Sequence, residues 1–297
     1  MGFGFFPSIS FRYFLQVFSF LSSIPLAGMA APSSSSSSSS SRLAPHQVAR
    51  LEANAHRAWD CFYKSNGNKF FKDRHWLLEE FHTLTPDAHH KLTLVEMGCG
   101  TGATVYPVLE ARNAACATST AVVHACDYAP TAVKVLKKHA AYEEANINAF
   151  VCNVAKEDIV ACGAPRLAEE SADVATMIFA LSAMSPDTFA HALEQARRVL
   201  KVGGTLLIRD YAEGDMAMER LAGKKGGMDG IREIDERFYM RGDGTRAYYF
   251  QVDELRSLLT TGGFDVASCS LVSMRNENRA QELIMDRRFV QARAVKV

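Results

Sequence analysis

The stretch EMGCGTG, residues 96–102, decides the fold of this chain. A short apolar run at 92–97 leads into it and a helical pattern at 104–112 follows it, so we predict a turn between a buried strand and a helix. Glycines in such a turn let a ligand approach the backbone closely. The first N–H groups of the helix have no partner within the helix and are available to that ligand. The stretch therefore predicts a binding site at the carboxyl end of a strand.

Outward from this turn, apolar runs and helical patterns alternate along the chain. Four more buried strands are predicted, at 121–127, 150–153, 174–179 and 205–209. Helices are predicted among them at 130–142 and 186–200. This alternation predicts an α/β fold with a parallel, doubly wound sheet.

The carboxyl-terminal part of the chain departs from this alternation. A helix is predicted at 252–260, and two apolar runs follow it at 264–274 and 289–295. No segment long enough for a crossover helix separates the two runs, so we expect them to pair antiparallel.

The spacing of the glycines narrows the choice of ligand. Dinucleotide-binding turns carry G-x-G-x-x-G, whereas this turn carries G-x-G-x-G with Glu96 two residues before the first glycine. That pattern resembles the loop that binds S-adenosylmethionine (AdoMet). Asp127, at the end of the second strand, is placed to accept hydrogen bonds from both hydroxyls of a ribose. The alternative is a structural turn in which Asp127 caps the helix that begins at Pro130.

Several longer segments closely resemble the METL family of tRNA N(3)-methylcytidine methyltransferases. They are WDCFYK at 59–64, NKFFKDRHWL at 68–77, EMGCG at 96–100, ACDYAP at 125–130, IFALSA at 178–183, IRDY at 208–211, FY at 238–239 and RGDGTR at 241–246. The resemblance runs from about residue 57 to the carboxyl terminus.

This resemblance implies a class I methyltransferase with a Rossmann-like sheet, parallel except for the final antiparallel pair. It implies metal-free transfer of a methyl group from AdoMet to N3 of a cytidine in a tRNA anticodon loop, typically the first loop nucleotide. It also implies cofactor contacts at Trp59, Tyr63, Gly98, Asp127, Asn153, Val154 and Ile178, to which the turn adds Gly100 and Gly102. The family usually has Asp where this chain has Asn153, which keeps an acceptor for the adenine amino group. Asn153 also suits a plain turn, and Ile178 a plain core position.

The chemistry of the target atom agrees with this resemblance. N3 of cytosine has a free lone pair at neutral pH, so no general base is needed and positioning dominates. Because the product base is cationic, a nearby carboxylate favours the transition state; Asp210 is the candidate, with a helix cap or an ion pair as the alternative. Enzymes that methylate an exocyclic amine commonly carry the motif N/D-P-P-Y/F, which residues 179–182 lack. This difference argues against N4 or N6 amines as targets. N3 lies on the Watson–Crick edge, so the base must be unpaired or flipped.

Cations and aromatic residues are interleaved in the segment 64–76. Cations can contact phosphates and rings can stack on bases. The candidates are Lys69, Phe70, Phe71, Lys72 and Arg74. An amphipathic helix with a solvated charged face is the alternative. Further along, Arg241 and Arg246 flank an Asp-Gly turn, which predicts a basic hairpin tip.

The chain of 297 residues has zero net charge, with 33 basic and 33 acidic residues. Three arginines precede the first acidic residue, Glu52, so the beginning carries +3 and the remainder, with 30 basic and 33 acidic residues, carries −3. A domain at −3 has no bulk attraction to RNA. RNA binding therefore requires that Lys69, Lys72 and Arg74 form one basic face with the region 224–246.

Three functions remain open from the sequence. A tRNA methyltransferase, with or without a helper such as an aminoacyl-tRNA synthetase, accounts for all of the motifs. A small-molecule AdoMet-dependent methyltransferase shares the cofactor motifs but leaves the basic aromatic segment unexplained. An inactive partner subunit with the same fold is suggested by Asn153 alone.

The first 45 residues lie outside the resemblance and are expected to form a disordered leader. Residues 1–28 are apolar and Ser-rich like a targeting peptide, and 33–41 is a run of nine serines. A start at Met29 would favour the cytoplasm, whereas a functional leader would direct the chain to a mitochondrion or plastid. We expect one folded domain at 46–297, with a helical RNA-binding segment at about 46–90 and no stable membrane insertion. Seven cysteines without a C-x-x-C pair indicate a reducing compartment, no disulfide framework and no zinc site.

Overall fold

The computed structural model describes residues 42–85, 91–115, 120–223, 232–278 and 283–297; most of the expected leader lies outside them. The helices are α1 (Pro45–Asn66), α2 (Trp76–Glu80), α3 (Val105–Ala115), α4 (Pro130–Leu136), α5 (Ile159–Gly163), α6 (Phe189–Val199), α7 (Met216–Leu221) and α8 (Val252–Thr261). The strands are β1 (Lys91–Met97), β2 (Thr120–Asp127), β3 (Ile147–Val151), β4 (Ala172–Ile178), β5 (Leu200–Tyr211), β6 (Glu233–Asp235), β7 (Phe238–Met240), β8 (Arg246–Tyr248), β9 (Phe264–Asn278) and β10 (Leu283–Lys296).

Seven of these strands form the main sheet, in the order β3-β2-β1-β4-β5-β10-β9. β1 pairs with β2 and β4, β2 pairs with β3, and β4 pairs with β5, all in parallel. β10 pairs antiparallel with both β5 and β9. The predicted parallel sheet with a final antiparallel pair is confirmed.

Hydrophobic side chains fill both faces of the main sheet. On one face, α5, α6 and α8 pack on strand residues such as Met177 and Ile208. On the other face, α2, α3 and α4 pack on residues such as Leu94 and Val123. Because both faces are covered, the central strands are continuous apolar runs, which is why the sequence alone predicts them.

Two elements end earlier than the sequence predicts. α4 stops at Leu136 rather than at 142, because Tyr106 Oη donates a hydrogen bond to the Leu136 carbonyl at 2.6 Å and the His139 ring stacks on Tyr106 at 3.6 Å. β3 ends at Val151, so Asn153 lies in the turn after the strand.

A second sheet, with strand order β6-β7-β8, is not predicted by the sequence. β7 and β8 form the antiparallel hairpin that the Asp-Gly turn indicates. The sheet packs on the main domain through aromatic rings, such as those of Tyr248 and Phe189, whose centroids are 5.3 Å apart. Its strands have only three residues each, which is too short for alternation to be visible in a sequence.

α1 packs against α4 at the carboxyl edge of the main sheet. Its Phe62 and Tyr63 cluster with Ala132 of α4, and Phe70 and Phe71 pack against this cluster. In the part of the chain that the structure describes, no helix combines the length and the apolar character that a membrane span requires.

Candidate active site

A cavity of about 180 Å³ lies where β1 to β4 end. The strand ends form its floor, and α1 forms its roof. The floor includes Gly98, Asp127, Cys152, Asn153, Val154 and Ala180, and the roof includes Glu52, His56, Trp59 and Tyr63. This is the edge at which open α/β sheets bind their ligands.

At two glycines of the 96–102 turn, any side chain would collide with a neighbouring residue. Both have positive φ, +79° at Gly98 and +54° at Gly100. A Cβ at Gly98 would lie 2.5 Å from the Cβ of Ala180, and a Cβ at Gly100 would lie 2.8 Å from Tyr63 Oη. The absence of side chains at these positions therefore lets Ala180 and Tyr63, two walls of the cavity, pack directly against the turn.

Asp127 ties this turn to the start of α4. Its Oδ2 accepts a hydrogen bond from the Gly100 N–H and its Oδ1 accepts one from the Ala129 N–H, both at 2.9 Å. Burial raises the pKa of this carboxyl to about 6, although the amide hydrogen bonds oppose the rise. Asp127 lines the large cavity, and each oxygen has a second lone pair, so it can also accept from hydroxyls of a ligand.

Hydrogen bonds between side chains and backbone groups hold α1 over the large cavity. Asp60 Oδ1 accepts a hydrogen bond from the Thr131 N–H at 2.9 Å, which fixes the middle of α1 to α4. Tyr128 Oη donates to the Ala55 carbonyl at 3.2 Å. Both contacts join the roof to the segment that follows Asp127, so roof and floor are positioned together.

An ion pair joins the roof to the second sheet. Arg246 of β8 pairs with Glu52 of α1, and its guanidinium lies 5.3 Å from the centroid of the Phe238 ring. Lys156 Nζ lies 3.2 Å from the same carboxylate. Burial alone would raise the pKa of Glu52, but hydrogen bonding to Arg246 and Lys156 lowers it below its ordinary value.

The turn after β3 brings Asn153 and Val154 to the floor of the large cavity. Asn153 Oδ1 accepts a hydrogen bond from the Ala155 N–H at 3.2 Å. The Asn153 N–H donates to Glu157 Oε2 at 2.6 Å. The Asn153 side chain thus supports its own turn while it faces the cavity.

The predicted cofactor residues divide into three groups. Those that line the large cavity are Trp59, Tyr63, Gly98, Asp127, Asn153 and Val154. Gly100 lines a smaller, neighbouring cavity. Gly102 and Ile178 line neither of the two: a Cβ at Gly102 would lie 2.5 Å from the Tyr106 ring, and Ile178 is buried in the core. Gly102 therefore permits the packing of α3, and Ile178 is a core residue.

The smaller cavity has a volume of about 30 Å³ and adjoins the large one. Both cavities are lined by Trp59, Tyr63, Gly98, Phe179 and Ala183. The remaining walls include Arg74, Tyr211 and Arg241. The centroids of the Phe179 and Tyr211 rings are 5.2 Å apart, and the Arg241 guanidinium lies 5.1 Å from the Tyr211 ring. Aromatic faces with adjacent fixed cations suit a flat polar ring.

Phe179, which lies between the two cavities, has a strained backbone. Its φ is 57°, a region that bulky residues rarely adopt. Its N–H donates to the Arg209 carbonyl at 2.8 Å, which holds the residue in place after β4. A conformation of this kind costs about 1–3 kcal/mol and is concentrated at functional sites.

Asp210 is fully buried behind the wall of the smaller cavity. Its Oδ2 accepts a hydrogen bond from the Ser182 N–H and its Oδ1 accepts one from the Tyr211 N–H, both at 2.9 Å. Burial raises its pKa to about 6 against these hydrogen bonds. Ser182 and Tyr211 line the cavity, whereas Asp210 does not. The structure therefore makes Asp210 a positioning residue rather than the catalytic residue that the sequence suggests.

The residues predicted to bind RNA differ in their exposure. Lys69 and Lys72 project into solvent, whereas Phe70 and Phe71 are partly buried. The Phe62 ring of α1 lies 4.8 Å from the Phe70 ring and 5.6 Å from the Phe71 ring. The two lysines remain candidates for phosphates, while the two rings mainly fix the segment to α1.

Arg74 turns inward towards the glycine turn. Its Nη1 donates to Thr104 Oγ1 at 2.9 Å and lies 3.8 Å from Glu96 Oε1. Burial raises the pKa of Glu96 to about 7, and the positive charge of Arg74 opposes that rise. The side chain thus stabilises the turn and lines the smaller cavity.

The predicted basic hairpin tip is wrong, although the hairpin itself is present. Arg246 is buried against Glu52, and Arg241 lies over the Tyr211 ring, so both guanidiniums face the cavities. A turn sequence cannot indicate this orientation, because the partners come from distant parts of the chain. The segment 224–231, part of the predicted basic face, lies outside the described residues.

Several lining residues are not identified from the sequence, among them Glu52, Phe179 and Tyr211. Phe179 and Tyr211 lie inside the motifs IFALSA and IRDY, so their adjacency to a strand end is a usable signal. Glu52 precedes the first motif, and nothing in the sequence marks it.

Comparison with known proteins agrees with this geometry. A family model for a methyltransferase domain matches residues 95–206. The chain is 35% identical over 250 residues to the tRNA N(3)-cytidine methyltransferase METTL6 of Homo sapiens, with 83% of this chain and 82% of that protein covered. It is 33% identical over 253 residues to the tRNA N(3)-methylcytidine methyltransferase trm141 of Schizosaccharomyces pombe, with 84% and 96% covered. A SAM-dependent methyltransferase structure from Anabaena variabilis shares the fold, with a TM-score of 0.57 at 15% identity and coverage of 82% and 96%.

Proposed function

The chain belongs to the tRNA N(3)-cytidine methyltransferases, and we propose that the cytidine it methylates lies in the anticodon loop, typically as the first loop nucleotide. The observation that carries this proposal is the smaller cavity, which adjoins the large one at Gly98 and has aromatic and cationic walls. A base can enter such a pocket only when it is unpaired or flipped, and loop nucleotides are the least costly to splay out.

The large cavity fits AdoMet, which supplies an electrophilic methyl group on a sulfonium centre. Asp127 would accept hydrogen bonds from the ribose hydroxyls, and Asn153 and Val154 would meet the adenine. Gly98 and Gly100 allow Ala180 and Tyr63, which both line the large cavity, to pack directly against the turn. The roof residues Trp59 and Tyr63, whose rings stack with centroids 5.9 Å apart, would cover it.

The target base would lie at the smaller cavity, which at about 30 Å³ has to open further to admit it. Phe179 and Tyr211 offer aromatic faces for stacking, and such faces favour the positive charge that methylation at N3 leaves on the ring. Arg241 offers N–H donors for the carbonyl oxygen of the base. Asp210 places negative charge behind Tyr211. No residue has to remove a proton from N3, so these side chains act by orienting the base.

The exposed lysines of the 64–76 segment would contact the tRNA. Lys69 and Lys72 flank Phe71, which lines the smaller cavity, so phosphates next to the target nucleotide would pass over them. A helper protein, such as an aminoacyl-tRNA synthetase, would supply further contacts to the tRNA. The proposed location is the cytoplasm, with a mitochondrion or plastid as the alternative if 1–28 directs import.

The test is methylation of a tRNA transcript by the full chain with labelled AdoMet, with and without cell extract. We expect 3-methylcytidine in nucleoside digests and its loss when the first anticodon-loop nucleotide is changed from cytidine to uridine. A transcript with that cytidine moved into the anticodon stem is the control. Product from the stem cytidine, or undiminished product from the uridine transcript, would contradict the assignment to the loop.

A further inference from the structure

Three cysteines lie in a row beneath the floor of the large cavity. Cys126 lies at the end of β2 and Cys162 in α5; the neighbouring Cys126 raises the pKa of the Cys152 thiol, whereas Cys162 lowers it. Cys126 and Cys152 are buried, whereas Cys162 is partly exposed. The row therefore leads from the cavity floor, which Cys152 lines, towards solvent.

A carboxylate joins this row at its solvent end. The sulfur atoms of Cys152 and Cys162 and a carboxylate oxygen of Glu157 all lie within 4.8 Å of one another. Ligand atoms on one tetrahedral zinc ion lie roughly 3–4 Å apart, since the bonds are about 2.0–2.3 Å long. Small side-chain rotations would thus bring the three groups onto one ion. Paired thiolates favour zinc and softer cations over magnesium or calcium.

We propose that Cys152, Glu157 and Cys162 form a binding site for Zn²⁺ or a softer divalent cation such as Cd²⁺, with water as the remaining ligand. The spacing C-x4-E-x4-C is unlike the paired cysteines of common zinc motifs, so sequence reasoning misses it. Binding would form two sulfur–metal bonds and one oxygen–metal bond and release the two thiol protons. Burial and the adjacent thiol raise the pKa of Cys162 to about 12, so the ion has to displace that proton.

Glu157 couples this site to the large cavity. Its Oε2 accepts the hydrogen bond from the Asn153 N–H at 2.6 Å, and Asn153 and Cys152 line the same floor. When the carboxylate turns to the ion, this hydrogen bond is lost, and the turn keeps only the hydrogen bonds from the Lys156 and Glu157 N–H groups to the Asn153 carbonyl and from the Ala155 N–H to its side chain. We expect an occupied site to weaken AdoMet binding by about tenfold, the size of one hydrogen bond to a charged group. AdoMet must then weaken metal binding by the same factor.

The first measurement is a titration of the full chain with Cd²⁺, monitored by the ultraviolet absorption of cadmium–thiolate bonds in a phosphine reductant. Cys162→Ala and Glu157→Gln test the site, and Cys61→Ala, which removes an exposed thiol of α1, is the matched control. We expect a saturable band in the wild type and the control, loss of the band in Cys162→Ala, and weaker binding in Glu157→Gln.

The second measurement is calorimetry of AdoMet binding with and without Zn²⁺. Zn²⁺ should raise the dissociation constant of the wild type by about tenfold and leave that of Cys162→Ala unchanged. Without metal, Cys162→Ala should bind AdoMet like the wild type, which establishes that the variant folds. A cadmium band that persists in Cys162→Ala, or an equal effect of Zn²⁺ on AdoMet binding in both proteins, would overturn the proposal.

Discussion

Gly98 is one of the residues that line both cavities. It has a φ of +79°, and the space of its missing Cβ is occupied by Ala180. Gly203, in an exposed part of β5, has nearly the same φ, +78°, but nothing lies within 4 Å of the position of its Cβ. Substitution of each glycine by alanine therefore separates the effect of backbone strain from the effect of a steric clash at the site.

Gly98→Ala and Gly203→Ala should each lower the free energy of unfolding by about 1–2 kcal/mol, because an L side chain is strained at this φ. Gly98→Ala alone should also weaken AdoMet binding by about tenfold or more, since its Cβ must displace Ala180. Denaturant unfolding measures the first effect and calorimetry the second. Equal AdoMet affinities in the two variants would contradict the role given to Gly98.

Asp210 titrates near pH 6, because burial raises its pKa to about 6. Below that pH the carboxyl group is neutral, and above it a negative charge lies behind Tyr211. At saturating AdoMet, methyl transfer should therefore rise as the pH increases through about 6 and level off above about 7. AdoMet has to be saturating because the pKa of Asp127, which lines the large cavity, is also about 6, so AdoMet binding would change in the same pH range.

Asp210→Asn should remove this pH dependence and lower kcat by about tenfold or more, with AdoMet affinity unchanged. The measurement is kcat between pH 5 and 8 for both proteins, together with AdoMet calorimetry at pH 7. A variant that keeps the same rise near pH 6 would assign the titration to another group.

The sequence predicts some site residues and not others for a physical reason. Asp127 and Asn153 follow apolar strands, and the alternation of strands and helices places all such ends at one edge. Arg246 cannot be placed in this way, because its inward orientation depends on Glu52, which lies far away in the chain. The local sequence pattern therefore predicts which residues form the floor of the site, whereas long-range contacts determine which residues form its walls.

At the scale of elements, α1 has few fully buried residues for its length. It is 22 residues long, and its buried residues are Ala55, Phe62 and Tyr63. Near the beginning of the helix, Val48 and Leu51 pack on the main core while partly exposed, and polar contacts add to this support. The pair between Glu52 and Arg246 joins this part of the helix to the second sheet.

Glu52→Gln should lower the free energy of unfolding by about 1–3 kcal/mol, because the buried Arg246 loses its carboxylate. It should also weaken AdoMet binding and speed hydrogen exchange at the start of α1. Lys156→Gln is the matched control, since it removes the exposed partner of Glu52 and should change stability by less than about 1 kcal/mol. Similar exchange rates in both variants would argue against the ion pair as the anchor of α1.

The elements themselves were predictable in proportion to their length and burial. β1, β2 and β4 are central and apolar, so their patterns are unambiguous. β6, β7 and β8 are stable only because their aromatic residues pack on the main domain, and that packing leaves no periodic pattern in three residues. The end of α4 likewise depends on Tyr106, a contact from α3.

At the scale of the whole molecule, residues 1–41 lie outside the described structure. We expect deletion of 1–41 to leave the thermal unfolding midpoint and AdoMet affinity unchanged, because the cavity residues all lie beyond Glu52 or at it. Fluorescent fusions of the full and truncated chains should both be cytoplasmic. A full-length fusion in an organelle would show that 1–28 is a functional leader.

Charge distribution decides whether a domain with more acidic than basic residues can bind tRNA. Lys69 and Lys72 are exposed beside the smaller cavity, whereas Lys137 and Lys138 are equally exposed just past the end of α4, about 10 Å along that helix from the site edge. Reversal of Lys69 and Lys72 to Glu should therefore lower kcat/KM for tRNA by about tenfold or more and reduce the salt dependence of binding by about two units of slope. Reversal of Lys137 and Lys138 to Glu makes the same change in net charge and should affect both quantities much less. Both variants should bind AdoMet like the wild type by calorimetry, and equal losses of tRNA activity would mean that net charge, rather than its position, governs tRNA binding.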